Sequence, residues 1–388
     1  MKHLATTSIL LLLGFSLWSQ TLSSQARVSL LTCEPGDELY SAFGHSALRV
    51  RDPLTNIDRV YNYGTFEFGE GFYMKFTRGK LNYFLNSYTF RLFNREYRYY
   101  KRSFDEQVMD LDSADVQAIF DFVENNALDE NKYYLYDFFF DNCATRIRDV
   151  FFDVLGEKAQ WTQRAESGKT FRGLLDEYLD GSPWADFGID LALGAVIDKP
   201  ATKWDQMFLP DYLASNMAEV LVDNGNGQKA SLVDSKRNLY LSGFDRLKSP
   251  WYMYPVLWFG LLLAVVAFFT LRNWGGDYRG KAGDITLFSI AGIAGLILTF
   301  LTFGTDHTAT AQNWNILWLL PTHLVAGLLL IRQEKFSWLK WYWVGTAGLI
   351  GLLILGWWVF PQQFHIANVP LMLLLGLRAG VIWKKGEK

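Results

Sequence analysis

The sequence predicts an α+β extracytoplasmic domain over residues 27–250, followed by a bundle of five membrane helices. Three observations carry this. First, composition changes near residue 250, where polar chain gives way to five apolar stretches: 251–271, 285–303, 314–331, 341–360 and 366–383. At about 1.5 Å per residue each stretch can cross a hydrocarbon core of about 30 Å. Second, a charged start (Met1-Lys2-His3), a short greasy run over 9–17 and a small-residue exit (Ser23-Ser24-Gln25-Ala26) read as a secretory signal over 1–26, cut after Ala26. The greasy run is short for a membrane anchor. Third, the chain between them switches repeatedly between strand-like alternation and helical spacing.

The outer domain divides in order. Residues 28–32 form a β-like run. Residues 45–51 alternate, with His45, Ala47 and Arg49 on one side, and 58–63 follow across the turn Asp52-Pro53-Leu54-Thr55-Asn56, a hairpin with His45 at its start. Residues 81–90 and 97–104 are further strand candidates. Asp112 opens a helix carried by Val116, Ile119, Phe120 and Val123. Asp141 or Asn142 caps the next, in which Ile147, Val150, Phe151 and Val154 keep helical spacing. Residues 27–155 are expected to form the catalytic unit. Residues 156–250, with a helix over 171–179 stopped by Gly181-Ser182-Pro183, are expected to be a helical extension between it and the bilayer. Arg172 and Phe208-Leu209-Pro210 stand out there without a chemistry to assign.

Charge sets the topology of the last part, 251–388. The first loop carries Arg272, Arg279 and Lys281, the third Arg332, Lys335 and Lys340, and the tail Lys384, Lys385 and Lys388; the second and fourth loops have neither Lys nor Arg. Basic loops face the cytoplasm, so the C-terminus is inside and 27–250 outside. Trp and Tyr crowd the span ends, as headgroup belts do. Arg378 is expected to snorkel from the last span. No charge sits at mid-span, which disfavours a transporter.

A net charge of −3, from 37 basic and 40 acidic residues, excludes a nucleic-acid binder. Half the residues are hydrophobic and 16% aromatic, which excludes disorder. Two cysteines and five histidines leave no disulfide scaffold or Cys-based zinc site, and no metal or cofactor is expected. The same scarcity singles out a pair. His45 is the sole histidine between residues 27 and 250, and Cys143 opens a helix, where unpaired N–H groups and the positive end of the dipole favour thiolate. A buried small hydrophobe is the commoner fate of a lone Cys, but nucleophile and base are the only such pair in the domain. The chemistry requires Cys33 to stay free; a bridge to Cys143 would abolish it. Leu30-Leu31-Thr32-Cys33 is a poor lipidation box, too far from the greasy run.

Phe43-Gly44-His45-Ser46-Ala47-Leu48-Arg49-Val50, Tyr61-Asn62-Tyr63-Gly64-Thr65-Phe66, Phe76-Thr77-Arg78-Gly79-Lys80-Leu81 and Tyr136-Asp137-Phe138-Phe139-Phe140-Asp141-Asn142-Cys143-Ala144-Thr145-Arg146 resemble the signature blocks of the Lnb family. Those are Gram-negative lipoprotein N-acyltransferases with a periplasmic N-terminal domain and a membrane half. The His-before-Cys order also resembles the circularly permuted papain-like fold of NlpC-like and lecithin:retinol acyltransferase-like enzymes. The resemblance implies a bacterial inner-membrane enzyme that moves an acyl chain from a phospholipid, through a Cys143 thioester, to the α-amine of a diacylated lipoprotein. His45 would be the base, with Asn62 the first choice and Tyr63 the second to orient it. Backbone N–H groups at the helix start would hold the oxyanion.

Arg146, Arg78 and His307 are candidate substrate contacts; Arg49 and Lys80 are ordinary surface or headgroup contacts. Phe72 to Phe76 with Phe84 read as core or as a membrane-facing lip. His307 and His365 lie in outer loops, and His323 is expected to bond a neighbouring helix. The alternatives are a papain-like peptidase or amidase acting on cell-wall peptides, which would use the same two residues, and a non-catalytic membrane partner.

Overall fold

The computed structural model describes residues 20–161, 165–223, 229–243, 248–274 and 280–385. Most of the expected leader, residues 1–19, lies outside them. Residues 20–26 dock on the domain: the Ser23 N–H and hydroxyl bond the Asp52 carboxylate at 2.7 and 2.6 Å, the Leu22 N–H bonds Gln117 Oε1, and Ala26 is buried. A chain cut after Ala26 would lose these contacts.

The N-terminal half is an α+β sheet domain. In chain order it runs β1 (Arg27–Cys33), β2 (His45–Asp52), β3 (Ile57–Thr65), α1 (Phe72–Thr77), β4 (Asn82–Thr89), α2 (Phe90–Tyr99), β5 (Phe104–Met109), α3 (Ser113–Asn126), β6 (Tyr133–Leu135) and α4 (Cys143–Leu155). It continues through β7 (Ala159–Gln160), β8 (Glu166–Thr170), α5 (Phe171–Leu179), α6 (Pro183–Ala192), β9 (Pro200–Thr202), α7 (Lys203–Gln206), α8 (Pro210–Met217), β10 (Leu221–Asp223), β11 (Lys229–Ser231) and β12 (Val233–Tyr240). The principal sheet has the order β12-β5-β1-β2-β3-β4-β6, and each adjacent pair of strands runs antiparallel. The hairpin turns at Asn56, whose positive φ of 59° an asparagine tolerates.

Alternation sends Leu30, Leu48 and Val50 to one face, under α3, α4 and α8, and Leu31, Ala47 and Val60 to the other, under Phe93 and Tyr97 of α2. Residues 97–104 are therefore not a strand. Phe90, Phe93 and Tyr97 follow helical spacing, and α2 runs through Tyr99 before β5 begins at Phe104. The stretch 156–250, expected as a helical extension of the domain, also contributes strands. Its β12 pairs with β5 at the edge of the principal sheet, and Leu213, Met217 and Leu232 belong to the main core. The strand was hidden because Val-Asp-Ser-Lys-Arg-Asn-Leu-Tyr carries the charges of an edge.

The C-terminal half is helical: α9 (Pro255–Arg272), α10 (Lys281–Phe303), α11 (Thr322–Leu329), α12 (Leu339–Leu355) and α13 (Asn368–Lys385). Among the described residues, three helical stretches are long and apolar enough to cross a membrane: Pro255–Arg272, Lys281–Phe303 and Trp314–Arg332. Leu339–Leu355 is a shorter apolar helix. The third stretch is not one α-helix: a 3₁₀ turn over Trp314–Leu317 precedes Pro321, and α11 follows. Glycines let its irregular backbone lie against α10, since a Cβ at Gly295 would fall 1.7 Å from the Leu319 carbonyl oxygen. His323 bonds the Tyr342 hydroxyl of α12 at 2.6 Å. Arg378 does not snorkel. It is buried, forked onto Asp284 at 2.6 and 2.8 Å and donating to Thr270 at 2.7 Å. Asp284 opens α10 opposite it, and a bidentate partner removes the need to reach water.

Candidate active site

Cys143 is the first residue of α4 because Asn142 stops the chain there. The Asn142 side chain accepts from the Ala144 and Thr145 N–H groups at 2.9 and 3.0 Å, and the Thr145 hydroxyl accepts from the Asn142 N–H at 2.8 Å, a capping box. Of the two cap candidates it is Asn142 that caps. Its amide nitrogen also donates to the carbonyls of Phe138 and Phe208 at 2.7 and 2.8 Å. That gives Phe208-Leu209-Pro210 its purpose: it is strapped to the loop that presents the thiol, while Pro210 lies against Gly44 beside His45.

His45 begins β2 after Gly44, whose φ of 79° turns the chain into the strand. Its Nε2 meets Asn62 Oδ1 at 2.5 Å, and the Asn62 amide donates to the Tyr88 hydroxyl at 2.9 Å. The amide is thereby oriented with its oxygen toward the ring, so Nε2 donates to Asn62. His45 and Cys143 line the same cleft, and each favours the charged form of the other. Gly64 keeps the space open: at φ 88° it has no side chain, and a Cβ there would sit 3.5 Å from that of Cys143 and 4.0 Å from the His45 ring.

Burial opposes ionisation of both groups, but their mutual attraction overcomes it. The Cys143 thiol lies below its ordinary value, helped by the Ser46 and Ala144 N–H groups; the imidazole lies above its own, helped by Asn62. Each group is thus shifted toward its charged form, the thiol toward thiolate and the imidazole toward imidazolium. Cys33 contrasts with it. That thiol is free and fully buried, and burial pushes it up to about 12, although Tyr97 bonds it.

The pair lies in a cleft of 380 Å³ walled by Phe43, Phe66, Tyr83, Tyr136, Phe138 and Phe208. Of the residues singled out in the sequence, Cys143, His45 and Asn62 meet there. Tyr63 does not: it is buried in the core beside Tyr134, at 6.2 Å between rings. Arg146 forks onto the Asp141 carboxylate and stacks on Tyr134 at 4.2 Å. Arg78 and His307 lie outside the cleft at the joint between the halves, where the Asp306 N–H bonds the Arg78 carbonyl at 3.0 Å and His307 Nε2 bonds that of Phe76 at 3.1 Å. Arg49 is buried structure, forked onto Asp58 and bonded to Glu106, whereas Lys80 pairs with Asp306 at 3.2 Å. Arg172 is fully buried and holds Asp190 and Asp198 and the carbonyls of Leu193 and Gly194, bracing the segment that meets the outer loop. Tyr88 escaped sequence reasoning; its only signal was its place two residues after Asn86 on a strand beside Asn62.

Fold and cleft together define a membrane protein that presents a thiol–imidazole pair from an N-terminal sheet domain. Comparison with family models is specific: the Lnb N-terminal periplasmic domain matches residues 15–177 and the Lnb transmembrane domain residues 247–387. The chain belongs to the Lnb family, which makes it an inner-membrane protein of lipoprotein biogenesis with a periplasmic N-terminal domain. Neither the curated proteins nor the solved structures give a match.

Proposed function

We propose that this protein is a lipoprotein N-acyltransferase in which Cys143 is the nucleophile, His45 the acid–base group and Asn62 the residue that positions His45. The observation that carries this is the meeting of Cys143, His45 and Asn62 in one cleft of a domain that is hydrogen-bonded to the membrane half. The His-strand before the Cys-helix is read as the permuted papain-like order. All five helices α9–α13 are read as crossing the bilayer, with the C-terminus in the cytoplasm by loop charge.

The thiolate attacks an ester carbonyl of a phospholipid. The oxyanion is held by N–H groups at the start of α4. His45 gives its proton to the departing glycerol oxygen, so lysophospholipid leaves and the acyl chain stays on sulfur as a thioester. The uncharged α-amine of a diacylglyceryl-cysteine then attacks the thioester, His45 takes the amine's proton, and the thiolate departs. The amide is formed and the starting ion pair is restored. Two-step transfer of this kind gives ping-pong kinetics.

The test uses the full-length protein in phospholipid vesicles with a diacylated lipopeptide, read by mass spectrometry. Wild type should carry an acyl group on Cys143 and release N-acylated lipopeptide; Cys143→Ala should do neither while accumulating normally. Full transfer by Cys143→Ala would exclude covalent catalysis. Altered cell-wall peptides in place of lost N-acylation on deletion would point to a peptidase.

A further inference from the structure

The segment just ahead of β4 has no place in the chemistry above, yet it exposes a run of large apolar side chains. Phe68 is 74% exposed, Tyr73 77%, Met74 61% and Phe76 53%. These are not stray residues: Phe66, Phe68, Phe72 and Phe76 stack in one run, with ring centroids 4.6 to 6.1 Å apart along it. Phe84, by contrast, packs on Tyr133 and is not part of the ridge. A contiguous exposed patch of this kind marks a surface that meets something apolar.

What it meets follows from its tether. The Arg78 carbonyl accepts from the Asp306 N–H, the Phe76 carbonyl bonds His307, and Lys80 pairs with Asp306. Asp306 lies three residues past the end of α10 at Phe303, itself 79% exposed. Three extended residues span at most about 10 Å, and the headgroup zone is roughly 5–8 Å deep on each side of the hydrocarbon. The ridge is therefore held at headgroup level. Exposed Lys75, Arg78 and Lys80 flank it, suited to phosphate groups.

The ridge also leads inward. Phe66 stacks on Phe72 at 5.8 Å and meets Tyr83 at 5.2 Å, and Tyr83 stacks on Tyr136 at 4.1 Å. Phe66, Tyr83 and Tyr136 all line the Cys143 cleft. Aromatic rings thus run without a break from the exposed edge to the thiol. We infer that α1 and its flanking phenylalanines are an interfacial lip, dipped into the outer leaflet, along which one acyl chain of a membrane phospholipid passes to Cys143. This rests on the acyl-transfer reading for its purpose but not for its membrane contact.

The two are separated by experiment. In full-length Cys143→Ser protein, Cys33 is buried, so Met74→Cys can be labelled alone with an environment-sensitive fluorophore; Leu54→Cys, 66% exposed at the far end of the β2–β3 hairpin, is the control. In phosphatidylethanolamine/phosphatidylglycerol vesicles with brominated chains, the label at 74 should be quenched and that at 54 should not. Equal quenching by aqueous iodide at both positions, with none by bromine, overturns the lip. Tyr73→Ser/Met74→Ser/Phe76→Ser on the Cys143 enzyme should acylate from vesicle phospholipid at least tenfold more slowly, while iodoacetamide still alkylates Cys143 at the wild-type rate. Unchanged acylation overturns the path. Quenching at 74 in a protein that never acylates Cys143 leaves the membrane contact standing and removes the acyl-transfer reading.

Discussion

Asn62→Ala isolates the support given to His45. The side chain makes one bond to the imidazole, at 2.5 Å, and one to Tyr88, at 2.9 Å. A hydrogen bond to a charged group contributes about 1.5–3 kcal/mol, so its loss should slow Cys143 acylation roughly 10- to 150-fold. The direction of the pH effect is also fixed. Asn62 helps to raise the imidazole above its ordinary value; without it the imidazolium is less populated, and the attraction that lowers the Cys143 thiol weakens. The midpoint of the alkylation rate against pH should therefore move up, toward an ordinary thiol. Tyr88→Phe keeps the Asn62–His45 bond and loses only the outer link, so its effect should stay below about tenfold. Single-turnover acylation by mass spectrometry and iodoacetamide kinetics between pH 5 and 9 measure both. An unmoved midpoint with acylation within twofold of wild type would refute the positioning role.

Two further outcomes concern the joint. Gly194→Ala places a Cβ 1.8 Å from the Ala311 carbonyl oxygen, so the outer loop must shift, at a cost of about 1–3 kcal/mol. Gly188→Ala, with nothing within 4 Å, should instead be neutral or stabilising, and thermal unfolding of the two variants compares them. Asp176 lies among Asp186 and Asp190, and burial together with those neighbours pushes its carboxyl up to about 7. The folded state then holds a proton that the unfolded chain has lost between about pH 4 and 7, so stability falls as pH rises through that window. Asp176→Asn should match wild type below about pH 4 and melt progressively higher than it from about pH 5 to about pH 8; a difference that does not grow with pH would refute the repulsion.

Much of the site was legible because its chemistry depends on local features. Cys143 at a helix start and His45 at a strand start announce themselves by periodicity, and Asn142 by the cap. What escaped notice depends on pairing across the sheet. Asn62 and Tyr63 are neighbours in the chain, but the pleat sends them to opposite faces, and the bulge between Asn62 and Thr65 falls where the assignment had to be made. Tyr88 is invisible without the β3–β4 register, which places it opposite Val60. Residues 97–104 misled because aromatic residues suit both strand and helix, and Arg378 because a helix end in a sequence does not reveal an Asp284 on another helix.

The joint decides what such a pair can act on. A thiolate and imidazolium in a free domain would meet soluble substrates. Here the loop after α10 grips the domain at two places. On one side Asp306 and His307 hold the segment from Phe76 to Lys80. On the other the Gly194 and Ala195 N–H groups bond the carbonyls of Ala309 and Gln312 at 2.9 and 3.1 Å, and Asn313 donates to Leu191 and Ala192. A third element, Gln362 ahead of α13, donates to the Leu193 carbonyl at 3.1 Å. Most of these bonds use main-chain atoms, which leave little rotational freedom. They fix the cleft relative to α10 and α13, so that substrates confined to the bilayer, as the proposed reaction requires, would arrive at a constant distance from the sulfur. Under the acyl-transfer reading, confinement of both reactants against a fixed nucleophile would be the entropic part of the catalysis, supplied by a loop that contains none of the reacting groups.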